Sequence, residues 1–149
     1  MFPAHVFPLD NPFLKHLGVE FVEMGEGAAT LSLDLQPHHM NGGQATHGGV
    51  TMTMLDVVMA LAGRTLNPQA SGAVTIEMKT SFLQPGGHIG GHIIAKGKAF
   101  HRSATMCFCE AELWNGEKLV AKSLGTFKYI KSSVRDRNSQ RGYDGGADA

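Results

Sequence analysis

Two periodicities divide the chain. Ala29, Leu31, Leu33 and Leu35 alternate with Thr30, Ser32 and Asp34, the two-residue repeat of a half-buried strand. Val19 and Phe21 begin a similar run before Gly25-Glu26-Gly27, so the two runs read as a hairpin. Further on, Val74, Ile76, Met78, Thr80 and Phe82 alternate with Thr75, Glu77, Lys79 and Ser81. Strands are expected over roughly 92–100, 104–114 and 118–130, the last two joined by Asn115-Gly116, the strongest short-range hairpin signal. The helical signals are fewer. Asn11-Pro12 ahead of Phe13, Leu14 and Leu17 predicts a capped short helix stopped by Gly18. The one long helix is expected from about Gly49 to Arg64, before Asn67-Pro68. Between Val50 and Ala62 it holds ten apolar residues, two threonines and a single charge, Asp56. A helix apolar nearly all round reads as a buried one, and the strands are all that is large enough to wrap it.

Length adds a bound. The 149 residues make one domain, about 1–130, followed by 131–149, whose few apolar residues predict a disordered tail. Thirteen basic residues balance thirteen acidic ones, which argues against a general nucleic-acid binder. The chain has no 18-residue apolar run and its start lacks the pattern of a signal peptide, so no membrane partner is expected. Cys107 and Cys109, one residue apart in a strand, read as small buried residues in a reducing cytoplasm. No metal or other cofactor is expected: two thiols are too few for a structural zinc site, and neither His38-His39 nor His88 with His92 lies on a helix face. Glycine stands out at 19 residues, nearly twice its usual share of about 7%.

Asp56 is the candidate for chemistry. A carboxylate within an apolar helix is costly unless paired or hydrogen-bonded. Just upstream, Asn41-Gly42-Gly43-Gln44-Ala45-Thr46-His47-Gly48-Gly49 runs into the helix start, where backbone N–H groups are unpaired and carry the positive end of the dipole. Bare glycines there let a ligand come close, as oxyanion donors require. Asp56 lies eight residues beyond Gly48, about 12 Å along a helix. One chain cannot bring both to the same bond, so catalysis would require a homodimer with sites shared across a two-fold axis.

The spacing of Asn41, His47-Gly48-Gly49 and Asp56 at the mouth of a long apolar helix resembles the hotdog-fold acyl-CoA thioesterases. Within the 4-hydroxybenzoyl-CoA thioesterase superfamily the phenylacetate-degradation-type branch is the most similar. The segment from Val74 to Met78, with the following Phe82-Leu83-Gln84-Pro85, extends the likeness, which covers about residues 10–130. It implies an α+β hotdog fold, an antiparallel sheet wrapped around one central helix, and an acyl-CoA substrate with an aryl or medium-chain acyl group. By resemblance Asp56 is the catalytic carboxylate, as general base or as nucleophile. Asn41 and the Gly48 N–H polarise the thioester carbonyl, His47 shapes the loop, and Thr75 helps hold the attacking water. Gly49 lies at the same approach, and His101, Arg102 and Ser103 fall in the region that faces the nucleotide end of CoA. The resemblance also implies a dimer of dimers. Two rivals remain: a hydratase acting on enoyl-CoA or enoyl acyl-carrier protein through His47 and Asp56, and a non-catalytic acyl-CoA-binding protein.

Overall fold

A computed structural model of the chain describes residues 11–131. Apart from Lys131, the expected tail lies outside the described residues.

The Asn11 side chain accepts hydrogen bonds from the N–H groups of Phe13 and Leu14, which starts α1 (Pro12–Leu17); Gly18, at φ 82°, ends it. The hairpin of β1 (Glu20–Gly25) and β2 (Ala28–Asp34) follows. A 3₁₀ turn (Pro37–His39) and the glycine-rich loop lead into α2 (Gly48–Thr65). Then come β3 (Ala70–Phe82), β4 (His92–Arg102), β5 (Met106–Asn115) and β6 (Lys118–Lys131).

The six strands form one antiparallel sheet in the order β1-β2-β4-β5-β6-β3. Between β2 and β3 the chain crosses the sheet, and α2 is the element that makes the crossing. Its Met54, Leu55, Val58, Met59 and Ala62 are fully buried beside Leu31, Leu33, Ile93, Leu113 and Phe127 of the strands. This is the expected hotdog arrangement.

Three details differ from expectation. First, α2 is not buried all round. The sheet wraps one side of it, and Thr53, Asp56, Val57 and Ala60 stay half-buried because nothing among the described residues covers the other side. Second, β3 starts at Ala70, four residues before Val74; Ala70-Ser71-Gly72-Ala73 has no alternation to reveal it, and the register shifts within it. Third, β4 runs on to Arg102, past the expected end near 100, and β5 begins at Met106 rather than near 104, with Ser103 Oγ closing the turn between them.

As the end strand, β3 leaves one backbone edge unpaired, with Val74 and Ile76 about half exposed (45% and 53%). Edges of this length and character are templates for another chain unless something covers them.

Candidate active site

α2 begins where His47 caps it. The His47 side chain accepts the Gly49 N–H at 2.9 Å, and its carbonyl accepts the N–H of Val50 at 3.0 Å. Of the first N–H groups of the helix, Gly48's is engaged by no acceptor among the described residues. Asn41 holds the preceding loop: its Oδ1 accepts the N–H groups of Gly43 (2.8 Å) and Ala45 (3.1 Å), and its backbone N–H donates to the Ala45 carbonyl at 2.7 Å. With Oδ1 committed, the Asn41 Nδ2 is the donor left over.

The four loop glycines, all expected to face a ligand, divide into two pairs. A Cβ at Gly49 would press on His47 Nδ1 at 3.0 Å, and one at Gly43 on Asn41 Oδ1 at 3.3 Å. Those two serve the loop's own hydrogen bonds. A Cβ at Gly48 would meet only the Phe82 ring, at an ordinary 3.6 Å, and one at Gly42 would meet nothing within 4 Å. Packing within the chain does not require glycine at either place.

Two turns along α2, Asp56 projects from the half-covered face. Thr75 Oγ1 of β3 donates to Asp56 Oδ1 at 2.5 Å, so the carboxylate is paired with a hydroxyl rather than buried alone. Oδ2 is engaged by no other group among the described residues. The bulge between Thr75 and Glu77 lies directly after this contact. Asp56 and Thr75 therefore come together within one chain, as do Asn41, His47, Gly48 and Gly49, but the two groups remain separate.

The remaining expected residues lie at the far end of α2. Arg102 donates to the Leu66 carbonyl beyond the helix C-terminus, with its guanidinium 5.8 Å from the Tyr129 ring centroid. Ser103 Oγ accepts from Met106 N–H at 3.0 Å and closes the β4–β5 turn. His101 is exposed, 5.8 Å from the Phe108 ring. An 18-residue helix spans about 27 Å, so these three do not reach Gly48 within the chain. Arg102 borders a cavity of about 810 Å³ that Lys128 and Lys131 also line.

Beneath Arg102 the two cysteines are free and fully buried. Their hydrogen bond drives them apart. Cys107 is lowered to about 7, chiefly by that bond and against burial, while the same bond and burial raise Cys109.

A second cavity, of about 430 Å³, adjoins the start of α2. Phe13 of α1 and Thr53 of α2 line it, and neither stands out as functional in the sequence. Its walls come from three separate segments, so no local pattern announces it.

Comparison with known proteins agrees with this fold. The family model described as the thioesterase superfamily matches residues 43–122, the span from the loop through β3 into β6. The acyl-coenzyme A thioesterase PaaI of Escherichia coli is 27% identical over 132 residues, covering 88% of this chain and 91% of that protein. The solved structure of the E. coli PaaI protein from the phenylacetic acid degradation operon superposes with a TM-score of 0.76 at 28% identity, over 86% of this chain and 91% of that one. The structure of a Streptococcus mutans protein bound to acetyl-CoA gives a TM-score of 0.69 at 20% identity, over 76% of this chain and 89% of that one, and shares the fold. With more than half its length matched by the family model, and with sheet, helix and loop as the fold demands, the chain belongs to the thioesterase superfamily.

Proposed function

We propose that this protein hydrolyses acyl-CoA thioesters to the free acid and CoA. The observation that carries this reading is the Asp56–Thr75 hydrogen bond on an uncovered helix face, in a chain whose Gly48 N–H and Asn41 Nδ2 are left unengaged among the described residues.

A two-fold pairing of chains would lay the open face of one α2 along that of another and cover the free edges of β3. Asp56 and Thr75 of one chain would then approach the loop of the second. In that site the thioester oxygen accepts from Gly48 N–H and Asn41 Nδ2. Asp56 takes a proton from water as the water oxygen bonds to the carbonyl carbon. The tetrahedral oxyanion collapses, the C–S bond breaks, and the leaving sulfur recovers the proton as CoA thiol. The alternative, attack by Asp56 through an anhydride later hydrolysed by water, uses the same atoms. Gly49 and His47 hold the loop in place, and Arg102, with His101 and Ser103 near it, offers the phosphates of CoA a cationic rim.

The acetyl-CoA held by the Streptococcus mutans protein supports CoA esters as the ligand class. Exposed Phe100 and Leu124 (55% and 51%) leave room for dimers to pair further. His47 is occupied as a helix cap, which does not favour the hydratase reading.

The test follows thiol release from a panel of acetyl-, hexanoyl-, octanoyl- and phenylacetyl-CoA. Release is expected from at least one ester and is lost in Asp56→Asn. Consumption of enoyl-CoA without thiol would replace this reading with hydration. Tight acyl-CoA binding with no product would replace it with a binding protein.

A further inference from the structure

The connection between β3 and β4, residues 83–91, is fastened to the sheet at both ends. The N–H groups of Leu83 and Gln84 donate to the Val120 carbonyl of β6 at 2.8 and 3.2 Å. At the other end the Gly90 N–H donates to the Leu35 carbonyl at 3.0 Å, and the Leu35 N–H donates to the Gly91 carbonyl at 2.8 Å. From this base two consecutive residues grip the glycine-rich loop that precedes α2. The Gly87 carbonyl accepts both the N–H and the Oγ1 of Thr46, at 2.9 and 3.0 Å. Gly86 lets the two segments come that close, since a Cβ there would lie 2.9 Å from Thr46 Cβ. His88 makes the second grip, with Nδ1 2.9 Å from the Gln44 carbonyl oxygen. A carbonyl only accepts, so Nδ1 carries the proton and donates.

Gln44 is where that bond matters. Its φ of 64° is left-handed, a conformation that a residue with a side chain adopts at a cost unless neighbouring contacts hold it there. Its carbonyl and the Ala45 N–H are the two polar ends of one planar peptide unit. His88 donates to the oxygen end, and Asn41 Oδ1 accepts from the nitrogen end at 3.1 Å. The unit is fixed from both sides, and the Asn41 amide is fixed with it. Without His88 the peptide can turn, which takes the Ala45 N–H away from Asn41 Oδ1 and leaves the Asn41 side chain free to rotate. His92, four residues on, pairs with Asp34 at 2.7 Å instead.

We propose that His88 is a positioning residue for the reaction: it holds the Gln44–Ala45 peptide, and through it keeps the Asn41 Nδ2 donor at the thioester carbonyl. The proposal rests on the thioesterase reading for the carbonyl, but not for the hold on the loop. His88 is exposed, so its removal leaves the core and Asp56 in place. The loss falls on the step in which charge develops on the carbonyl oxygen, because a donor counts there only when it is already aimed. Hence kcat falls while KM stays.

The test compares the parent with His88→Ala, His88→Asn and His92→Ala by thiol release and by amide hydrogen exchange in the full chain. Thiol release uses the ester that the parent turns over fastest. In His88→Ala, kcat should fall about 10- to 100-fold with KM within about threefold of the parent. The Gly43 and Ala45 amides, which donate to Asn41 Oδ1, should exchange about tenfold faster or more. Asparagine carries a donor nitrogen as many bonds from Cβ as histidine Nδ1, so His88→Asn should bring kcat and exchange back to within about threefold of the parent. His92→Ala should match the parent in both. An unchanged kcat in His88→Ala, a fall that asparagine does not restore, or unchanged exchange overturns the positioning role and leaves the hydrolysis reading intact. A parent that releases no thiol overturns the hydrolysis reading. Faster exchange in His88→Ala, restored by asparagine, then still supports the hold on the loop, and unchanged exchange overturns that as well.

Discussion

The two faces of α2 use the same kinds of residue for opposite purposes. Toward the sheet, helix and strands approach closer than side chains permit. A Cβ at Gly97 would sit 2.6 Å from the Val58 carbonyl oxygen, one at Gly63 would collide with Cys107 Sγ, and one at Gly125 would press on Met59 and Phe127. Glycine there removes a side chain so that backbone can meet neighbouring atoms. Away from the sheet, Thr53, Asp56, Val57 and Ala60 stay half-covered, and Gly48 is bare without any crowding to demand it. Closeness on one face stabilises the fold; openness on the other leaves groups free to engage something else. Rate and stability should therefore separate when each face is disturbed in turn.

The largest effect belongs to the open face. Asp56→Asn keeps the shape and an oxygen for Thr75 but removes the base, so thiol release should fall by about 10²- to 10⁴-fold. The melting temperature should stay near that of the parent. A variant that lost both together would show that Asp56 belongs to the packed face after all. Next comes the second copy that this face is proposed to meet. Asp56→Asn and Asn41→Ala proteins, each inactive alone, should regain activity after being unfolded and refolded together. Half the dimers would be mixed, each with one intact site of its two, giving about a quarter of parental activity. Sites confined to one chain would regain none.

The packed face answers differently. Gly97→Ala puts a methyl group against backbone that cannot swing aside, so the urea midpoint should shift by the equivalent of about 1–3 kcal/mol. Turnover per folded molecule should change little. An unshifted midpoint would mean that helix and sheet can part without penalty, and the contrast between the faces would fail.

Much of this contrast is legible in the amino-acid sequence alone. Alternation at Ala29–Leu35 and the Asn115-Gly116 turn yield strands and a hairpin directly, because each is a local pattern with a local cause. The spacing of Asn41, His47 and Asp56 is enough to mark the loop and the helix, and it implies that the two cannot meet within one chain. What stays hidden depends on what lies across the fold. Val50–Ala62 is apolar on all sides, so hydropathy cannot separate the face that packs on the sheet from the face left for another chain. Alternation in β3 marks a half-buried strand but not an edge strand, since edge position follows from strand order. His38 and His39 are identical in sequence terms, yet one is exposed and the other fully buried, because a three-residue turn has no period to read. Nor does any local signal join Phe13, Met40 and Thr53, which line one cavity from three separate segments of the chain.

The smallest predicted change sharpens the packed face at its far end. Tyr129 is nearly buried, and its hydroxyl donates to the Gly63 carbonyl at 2.8 Å. Gly63 must be glycine to admit Cys107, so the helix at that point has backbone and no side chain to present, and the phenol reaches across from β6 to it. Tyr129→Phe preserves the ring and the Arg102 stacking but strips the donor from a buried carbonyl, which should lower stability by about 1–2 kcal/mol. Chemical denaturation measures it, with thiol release per folded molecule as the control. A loss of stability alone is the expected result, because the hydroxyl holds the packed face and lies about two turns past Asp56. A loss of rate at unchanged stability would instead tie the closely packed end of α2 to the chemistry and dissolve the separation between its faces.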